Sequence, residues 1–259
     1  MPDPLAPLLG RTLVLAAHPD DDAVGCGALL QRVPEPHIAY LTDGAPIDRY
    51  FWKDYGSREQ YAAQRRREAE AACALVGGTA YFCDVTDQRL FREFERAQAW
   101  LDTLVARLRP QAVVAPAFEG GHPDHDAANL LASIAGAHSG AAAWEYPCYH
   151  RSVDGALVHQ EFRTAAGNEV VLTPAPAEWD RKLRMYGAYE SQREVLQHFL
   201  AQAERFRPLP AYDYAAPPHA GVLNYEAWQW GITGSEVAEA FAAHRRRART
   251  TTGASSCSH

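Results

Sequence analysis

Residues 12–28 read TLVLAAHPDDDAVGCGA, in which an apolar run leads into a histidine, a proline and three aspartates. The apolar run at 12–17 predicts a short buried strand, and residues 23–32 predict the helix that follows it. A second stretch repeats this order: AVVAPA at 112–117, then FEGGHPDHDA at 118–127, then a helix expected from about 126 to 135. The chain therefore holds two strand–loop–helix units, each with His-Pro-Asp in its loop.

Further elements alternate in the same way. Strands are expected at 37–42 and 79–83, with helices at 57–76 and 93–108. Ser57 can cap the first of these helices, and Gly77 with Gly78 can stop it. Alternating strands and helices predict an α/β fold with a mostly parallel sheet covered on both faces. Beyond residue 140 the pattern predicts strands at 143–146 and 170–173 and helices at 177–189, 194–206 and 234–247. We find no linker long enough to divide the chain, so residues 1–259 are interpreted as a single domain.

Composition narrows the class of protein. The chain has 259 residues, 47% of them hydrophobic, and a net charge of −7, which argues against nucleic acid as the main partner. The five cysteines are widely spaced without a CxxC pair, so we expect neither a disulfide framework nor a cysteine metal site. No long apolar run predicts a membrane span, and no signal peptide pattern is found, so a cytoplasmic protein is expected. One basic cluster is interpreted as a solvated helix end: Arg245, Arg246, Arg247 and Arg249.

The two His-Pro-Asp loops carry the chemistry. Both follow strands of the expected parallel sheet, and open α/β sheets bind ligands at the carboxyl ends of their strands. His18 lies three residues before Asp21, and His122 three residues before His125, a spacing that lets both side chains of each pair face one point. Hydrolytic zinc sites use three protein ligands and leave room for water and substrate.

Two histidines and one carboxylate meet that requirement. The same chemistry needs a further carboxylate as general base, which Asp20 can supply, and a group that stabilises the oxyanion, for which His122 is a candidate. Three consecutive aspartates at a strand end also need a compensating cation. We therefore expect a metal site at these loops.

Other interpretations stay open on the residues alone. A single His-Pro-Asp is most often only a loop with a helix cap, although two copies are harder to dismiss. Two histidines and a carboxylate also describe non-haem iron oxygenases, which would require a β-rich barrel. Gly25-Cys26-Gly27 suggests a nucleotide-binding module, but the glycine fingerprint is incomplete. A non-catalytic metal-binding protein would need the three ligands but not Asp20.

The chain resembles the LmbE-like or PIG-L-type deacetylases, which include N-acetylglucosaminylphosphatidylinositol deacetylase and the deacetylases of mycothiol and bacillithiol synthesis. AHPDDDAVGCGA at 17–28 and GGHPDHDAAN at 120–129 carry the resemblance. LTDG at 41–44, RRREAEAACALVGG at 65–78 and, more weakly, KLRMYGAYESQ at 182–192 add to it. The resemblance implies a Rossmann-like three-layer sandwich and zinc as cofactor, with another divalent metal such as Fe²⁺ as an alternative.

The resemblance also implies roles for single residues. His18, Asp21 and His125 would bind the metal, Asp20 would be the general base, and His122 would stabilise the oxyanion or donate a proton. Arg65 matches an arginine associated with substrate binding, although it could equally lie on an ordinary charged surface.

Two positions depart from the family pattern. Asp22 stands where glutamate is usual, and Tyr189 stands where histidine is usual. The contacts that the usual residues make are therefore in doubt here, while the expected metal ligands are all present.

The expected activity is removal of an acetyl or other acyl group from the amide nitrogen of an N-acetylated amino sugar or glycoconjugate. A small-molecule substrate is expected, and a homo-oligomer is compatible with the sequence. Irregularly spaced aromatic residues follow position 200, and core packing or an oligomer contact is the default interpretation of them: Tyr212, Tyr214, Tyr225, Trp228 and Trp230.

Overall fold

A computed structural model describes residues 3–254, with side chains as far as 247. Its centre is a seven-stranded sheet with the order β3-β2-β1-β4-β5-β9-β8. Strands β1 to β5 are parallel, while β9 pairs antiparallel with both β5 and β8. A separate hairpin joins β6 and β7. The strands are β1 (Thr12–Ala16), β2 (His37–Thr42), β3 (Thr79–Val85), β4 (Ala112–Pro116), β5 (Ala142–Tyr146), β6 (Tyr149–Arg151), β7 (Leu157–His159), β8 (Val170–Leu172) and β9 (Glu204–Pro208).

Helices cover both faces of this sheet. The helices are α1 (Asp21–Cys26), α2 (Arg58–Leu75), α3 (Phe94–Leu108), α4 (Pro123–Ser139), α5 (Pro176–Ala188), α6 (Arg193–Leu196), α7 (Asn224–Ala227) and α8 (Gly234–Ala254). Along β1, Leu13 and Leu15 join an apolar cluster with α3, α4 and α8, whereas Val14 and Ala16 join another with α1, α2 and α5. Because successive side chains of a strand point to opposite faces, one strand contributes to both cores. The expected three-layer α/β sandwich is confirmed, and the β-rich barrel of the iron oxygenase hypothesis is not the fold of these residues.

The sheet topology positions the two His-Pro-Asp motifs together. β1 and β4 are neighbours, with Val14 opposite Val114. The chain runs from β1 to β2 and β3 on one side, and β4 and β5 lie on the other, so the order reverses between β1 and β4. Crevices at such a reversal are the usual ligand sites of open α/β sheets. His18 follows β1 and His122 follows β4, which brings both motifs to this crevice.

The helix starts show why the motifs have their local shape. Ser57 Oγ accepts the Gln60 N–H at 3.2 Å, which confirms the expected cap of α2. α4 begins at Pro123, earlier than the expected 126, and His122 is its N-cap. Proline suits the first helical position, since the N–H that it lacks would have no partner there. Pro123 thus opens the helix, and the second motif lies in its first turn.

Two expected helices are wrong. The helix predicted at 23–32 ends at Cys26 and is followed by a separate 3₁₀ turn, Leu29–Gln31. Residues predicted as a helix at 194–206 instead form the short α6 and the strand β9. Glu204 takes part in both changes, because its carboxylate accepts the N–H groups of Ala28 and Leu29 at 2.6 and 2.9 Å.

The structure also bears on the expectations for the basic cluster, the cysteines and membrane spans. Arg245, Arg246 and Arg247 are exposed, but α8 continues to Ala254, so they do not mark the helix end. The Arg249 side chain and Cys257 lie outside the described residues. Four cysteines are free and buried: Cys26, Cys73, Cys83 and Cys148. None of the helices between residues 3 and 254 is long and apolar enough to cross a membrane.

Candidate metal centre and active site

A cavity of about 130 Å³ opens at the carboxyl edge of the sheet, between the loops after β1 and β4. All six residues expected at the site line it: His18, Asp20, Asp21, Arg65, His122 and His125. Each of these side chains belongs to a residue that is no more than 8% exposed. The cavity therefore brings together residues of the two motifs and Arg65, which are far apart in the sequence.

The candidate metal ligands are His18, Asp21 and His125, whose donor atoms lie within 4.8 Å of one another. Asp21 stands between the two histidines: its Oδ1 is 3.2 Å from His125 Nε2, and its Oδ2 is 3.4 Å from His18 Nδ1. Two imidazole nitrogens and one carboxylate suit zinc and other divalent metals. The residues present fit the metal that the resemblance implies.

The charged groups around this cluster also favour a bound cation. Burial lowers the pKa of His18, but the carboxylates of Asp87, Asp124 and Asp21 together raise it well above its ordinary value. Asp21 has its pKa raised by burial, yet His125 and His18 hold it well below the usual range. Three buried carboxylates around one histidine require positive charge nearby. A divalent cation between His18, Asp21 and His125 would supply it.

Asp20 lies beside the ligand cluster with an unusual backbone. Its φ is 130° and its ψ is −26°, a region that residues other than glycine rarely occupy. Arg65 Nη2 donates to Asp20 Oδ2 at 3.2 Å. Burial and the neighbouring Asp21 carboxylate raise the pKa of Asp20 to about 6, although the Arg65 guanidinium opposes this shift. The pKa of this carboxyl group is thus closer to neutrality than that of an ordinary aspartate, which suits a proton acceptor.

Arg65 is not an ordinary surface residue, since only 3% of it is exposed. Its Nε and Nη1 have no hydrogen-bond partner in the described structure although both are buried. Gly44, from the LTDG stretch, has φ +62°, and a Cβ there would lie 2.7 Å from Arg65 Nε and 2.8 Å from Pro19 Cδ. Glycine therefore leaves room for the guanidinium, and Arg65 lines the cavity while two of its N–H groups stay buried without a partner.

His122 has its protonation state fixed by the helix cap. Its Nδ1 accepts the Asp124 N–H at 3.1 Å, so the ring proton of the neutral form is on Nε2. Burial lowers the pKa of His122 well below its ordinary value, and His18 and His125 lower it further. His122 is therefore a neutral hydrogen-bond donor whose Nε2–H lies in the cavity.

Asp87 is a site residue that the sequence interpretation missed. It follows β3, and its Oδ1 lies 3.2 Å from His18 Nε2 and 3.5 Å from His122 Nε2. Asp124 Oδ2 is 3.4 Å from the same His18 nitrogen and is held by the N–H groups of Gln88 and Leu90. Both carboxylates face His18 Nε2, the nitrogen of that ring that points away from Asp21.

The atoms around Asp87 form a second group of candidate metal ligands: His18, Asp87, His122 and Asp124. His122 does not fit this role, because Nδ1 already accepts a backbone N–H and Nε2 must keep its proton. The second group is better described as two carboxylates that lie around His18 and His122. Asp124 accepts backbone N–H groups, whereas His18 Nε2 and Asp87 Oδ1 have no hydrogen-bond partner in the described structure.

The two departures from the family pattern contact each other. Tyr189 Oη donates to Asp22 Oδ1 at 2.6 Å, and both residues are fully buried. Nearby, Ser191 donates from its N–H and its Oγ to Glu68 at 2.9 and 2.6 Å. The stretch 182–192 thus packs against α2 and the first motif.

The late aromatic residues divide into two groups. Tyr214 and Tyr225 belong to a hydrophobic core, and Tyr212 packs against it, which agrees with the default interpretation. Trp230 also packs against this core, and in addition it lines the cavity with its ring centroid 4.9 Å from that of His122. Trp228 lies 5.2 Å from Trp230 and is 42% exposed. The tryptophans therefore form part of the cavity entrance.

Comparison with known proteins agrees with this geometry. Residues 13–135 match the family model of GlcNAc-PI de-N-acetylase (PIG-L), a segment that contains both His-Pro-Asp motifs. The family resemblance is confirmed. The 2′-N-acetylparomamine deacetylase of Streptomyces fradiae is 33% identical over 140 residues, which are 45% of this chain and 48% of that protein. The chain thus matches about half the length of this curated relative.

Solved structures share the fold at lower identity. A deacetylase of teicoplanin biosynthesis superposes with a TM-score of 0.61 at 17% identity, covering 76% of this chain and 97% of that one. A 4-carboxy-2-hydroxymuconate hydratase of Pseudomonas putida superposes with a TM-score of 0.58, also at 17% identity, covering 78% and 97% of the two chains. The sandwich therefore accommodates more than one type of reaction, and the choice among them depends on the site residues.

Proposed function

We propose that this protein is a metal-dependent N-deacetylase that hydrolyses the acetamide of an N-acetylated amino sugar or glycoconjugate. The observation that carries the proposal is the single cavity in which Asp20 and His122 flank the His18, Asp21 and His125 donor set. Family membership of residues 13–135 and the paromamine deacetylase relative support the same reaction class.

Each residue of the cavity has a task in amide hydrolysis. His18, Asp21 and His125 would hold the metal, which supplies Lewis acidity to the amide carbonyl and to the attacking water. Asp20 would accept the proton of that water and later deliver it to the departing amine. The Arg65 guanidinium orients the Asp20 carboxylate through the bond at 3.2 Å.

The carbonyl oxygen gains negative charge as the tetrahedral intermediate forms. The Nε2–H of His122 is a neutral donor fixed in the cavity, and such a donor stabilises an oxyanion without reorganising. Asp87 lies 3.5 Å from this nitrogen and favours the tautomer that carries the proton there. Arg65 lines the same cavity, and its guanidinium would contact a hydroxyl group of the sugar.

The test is incubation of the metal-loaded protein with a panel of N-acetylated amino sugars, measuring both released acetate and new primary amine. One structure of the teicoplanin deacetylase is described as a zinc-inhibited form, so the panel is run after reconstitution with Zn²⁺, Fe²⁺ and other divalent ions. Release of acetate and amine in equal amounts is expected. A protein that binds the metal but releases neither from any member would be a non-catalytic metal-binding protein or a hydratase.

A further inference from the structure

A second cavity adjoins the one that holds the metal ligands. It has a volume of about 900 Å³ and shares six lining residues with the inner cavity: Phe51, Gln88, Tyr149, Val195, Phe199 and Trp230. The inner cavity, at about 130 Å³, is only large enough for the reacting group and its immediate neighbours. The larger cavity is therefore the space into which the rest of a bound substrate extends.

Aromatic rings form much of this outer cavity. Trp228 and Trp230 have centroids 5.2 Å apart at an angle of 47°, and Tyr149 lies 6.0 Å from Trp228. Tyr50 and Phe51 contribute from the loop after β2 and are 69% and 37% exposed. Exposed aromatic side chains of this kind suit the apolar face of a saturated ring and also attract cations.

The charged groups of the outer cavity have one sign. Asp48 and Glu194 line it, and the described lining residues include neither lysine nor arginine. Burial lowers the pKa of His159, and His198 and His150 lower it further, so this imidazole adds no positive charge at neutral pH. A phosphate or carboxylate placed here would meet these two carboxylates, while Lys53 lies beside the lining with its Nζ 5.0 Å from the Tyr50 ring centroid.

From the rings and the carboxylates together, we infer that the outer cavity binds an amine-bearing ring, an aminocyclitol or amino sugar, that is glycosidically linked to the N-acetylated residue. The inference rests on the proposed deacetylation and names the class of its substrate: an oligosaccharide with protonated amines. The ring stacks on Trp228 and Trp230, and its ammonium groups pair with Asp48 and Glu194.

The first experiment measures binding without catalysis. Streptamine (an aminocyclitol) is titrated into the metal-loaded protein, and quenching of tryptophan fluorescence is followed, with inositol phosphate and a neutral methyl glucoside as comparison ligands. Streptamine should bind best, and more weakly as ionic strength rises. Glu194→Gln and Asp48→Asn should each raise its Kd about threefold or more, the scale of a partly exposed ion pair. Glu190→Gln and Asp54→Asn, which change residues outside the cavity lining, should leave the Kd unchanged.

The second experiment compares kcat/KM for 2′-N-acetylparomamine, the substrate named for the curated relative, with kcat/KM for the methyl glycoside of N-acetylglucosamine. The ratio should favour the paromamine compound and fall in Glu194→Gln. Equal kcat/KM values, or tighter binding of inositol phosphate than of streptamine, would overturn the inference and leave the deacetylase proposal intact. Hydrolysis of neither compound, with streptamine still bound, would overturn the proposed function for these substrates and retain the amine-binding cavity.

Discussion

Tyr189 Oη donates a hydrogen bond of 2.6 Å to Asp22 Oδ1, and neither residue is accessible to solvent. These are the two positions at which the chain departs from the pattern of the family that it resembles. Tyr40 Oη lies a further 3.4 Å from Tyr189 Oη, so the phenols continue into the core. A carboxylate one methylene shorter than glutamate is thus met by a side chain longer than histidine, and the two departures satisfy each other.

Removal of the Tyr189 hydroxyl should therefore destabilise the fold. Tyr189→Phe leaves the buried Asp22 carboxylate without this donor, and we expect the free energy of unfolding in urea to fall by about 1–3 kcal/mol. Tyr50→Phe is the matched control, because Tyr50 is 69% exposed. In a double-mutant cycle with Asp22→Asn, the two effects should not add. Full additivity would mean that the hydrogen bond carries no coupling energy.

Much of the fold was predictable because the parallel strands are buried on both faces. Such strands appear in the sequence as short apolar runs, and the runs at 12–17 and 112–117 correspond to β1 and β4. Their polar ends then locate the site, since the carboxyl ends of neighbouring parallel strands lie together. The spacing of the candidate ligands then predicted that their side chains meet, because residues three apart in a first helical turn face one point.

The wrong helices have a common physical cause that no local pattern contains. Lys182 Nζ donates to Glu204 Oε1 at 2.6 Å and to Val24 O at 3.0 Å, and Glu204 also accepts the Ala28 N–H. This buried ion pair ends helix α1 and fixes Glu204 in the sheet. Phe206, in the same strand, is fully buried. Tertiary contacts between residues far apart in sequence override helix propensity at both places.

Asp87 was missed although a signal for it existed. It lies two residues after the end of β3, at the same edge of the sheet as LTDG after β2. The rule that located the two motifs, a polar side chain following a parallel strand, applies to Asp87 equally. It has no histidine beside it in the sequence, and so its partners, His18 and His122, become evident only from the distances.

The proposed metal ligands can be tested by measuring the amount of bound metal rather than a reaction rate. His18→Ala and His125→Ala should each reduce bound metal from about one ion per chain to a small fraction, because either change removes one of three protein ligands. Elemental analysis after dialysis provides the measurement. Wild-type metal content in both variants would show that the metal is bound elsewhere or not at all.

His122 should behave differently from its neighbour in the motif. His122→Ala removes the Nε2–H donor but none of the proposed ligands, so metal content should be unchanged while kcat falls by about 10²- to 10³-fold. His138→Ala, at an exposed position of the same helix, is the control and should retain full activity. Loss of metal from His122→Ala would exchange the roles of His122 and His125.

Asp87 should act through the histidines that it faces. Asp87→Asn removes the negative charge 3.5 Å from His122 Nε2, and we expect kcat/KM to fall by about 10- to 100-fold, the usual range for partners of active-site histidines. The decisive comparison is the double variant. If Asp87 works by orienting His122, Asp87→Asn should cost little further activity once His122→Ala is present, whereas independent roles would give multiplied losses.

Asp20 separates an enzyme from a protein that only binds metal. Its carboxylate is buried, held by Arg65 at 3.2 Å, and adjacent to Asp21 without being part of the three-residue donor set. Asp20→Asn keeps the size of the side chain and removes the base, so metal content should stay at the wild-type level. Turnover should fall by about 10²-fold or more, the scale of positioned acid–base catalysis.

The pH–rate profile provides a second measurement of the same role. Protonation of Asp20 abolishes its function as a base, so the wild-type rate should decline at acidic pH. The acidic limb of the profile should vanish or move in the Asp20→Asn variant. Asp43→Asn is a comparison at a carboxylate that lies outside the cavity lining and pairs with Arg58 at 2.6 Å. Near-normal deacetylation by metal-loaded Asp20→Asn would assign the base to another residue of the cavity, with Asp87 the next carboxylate to test.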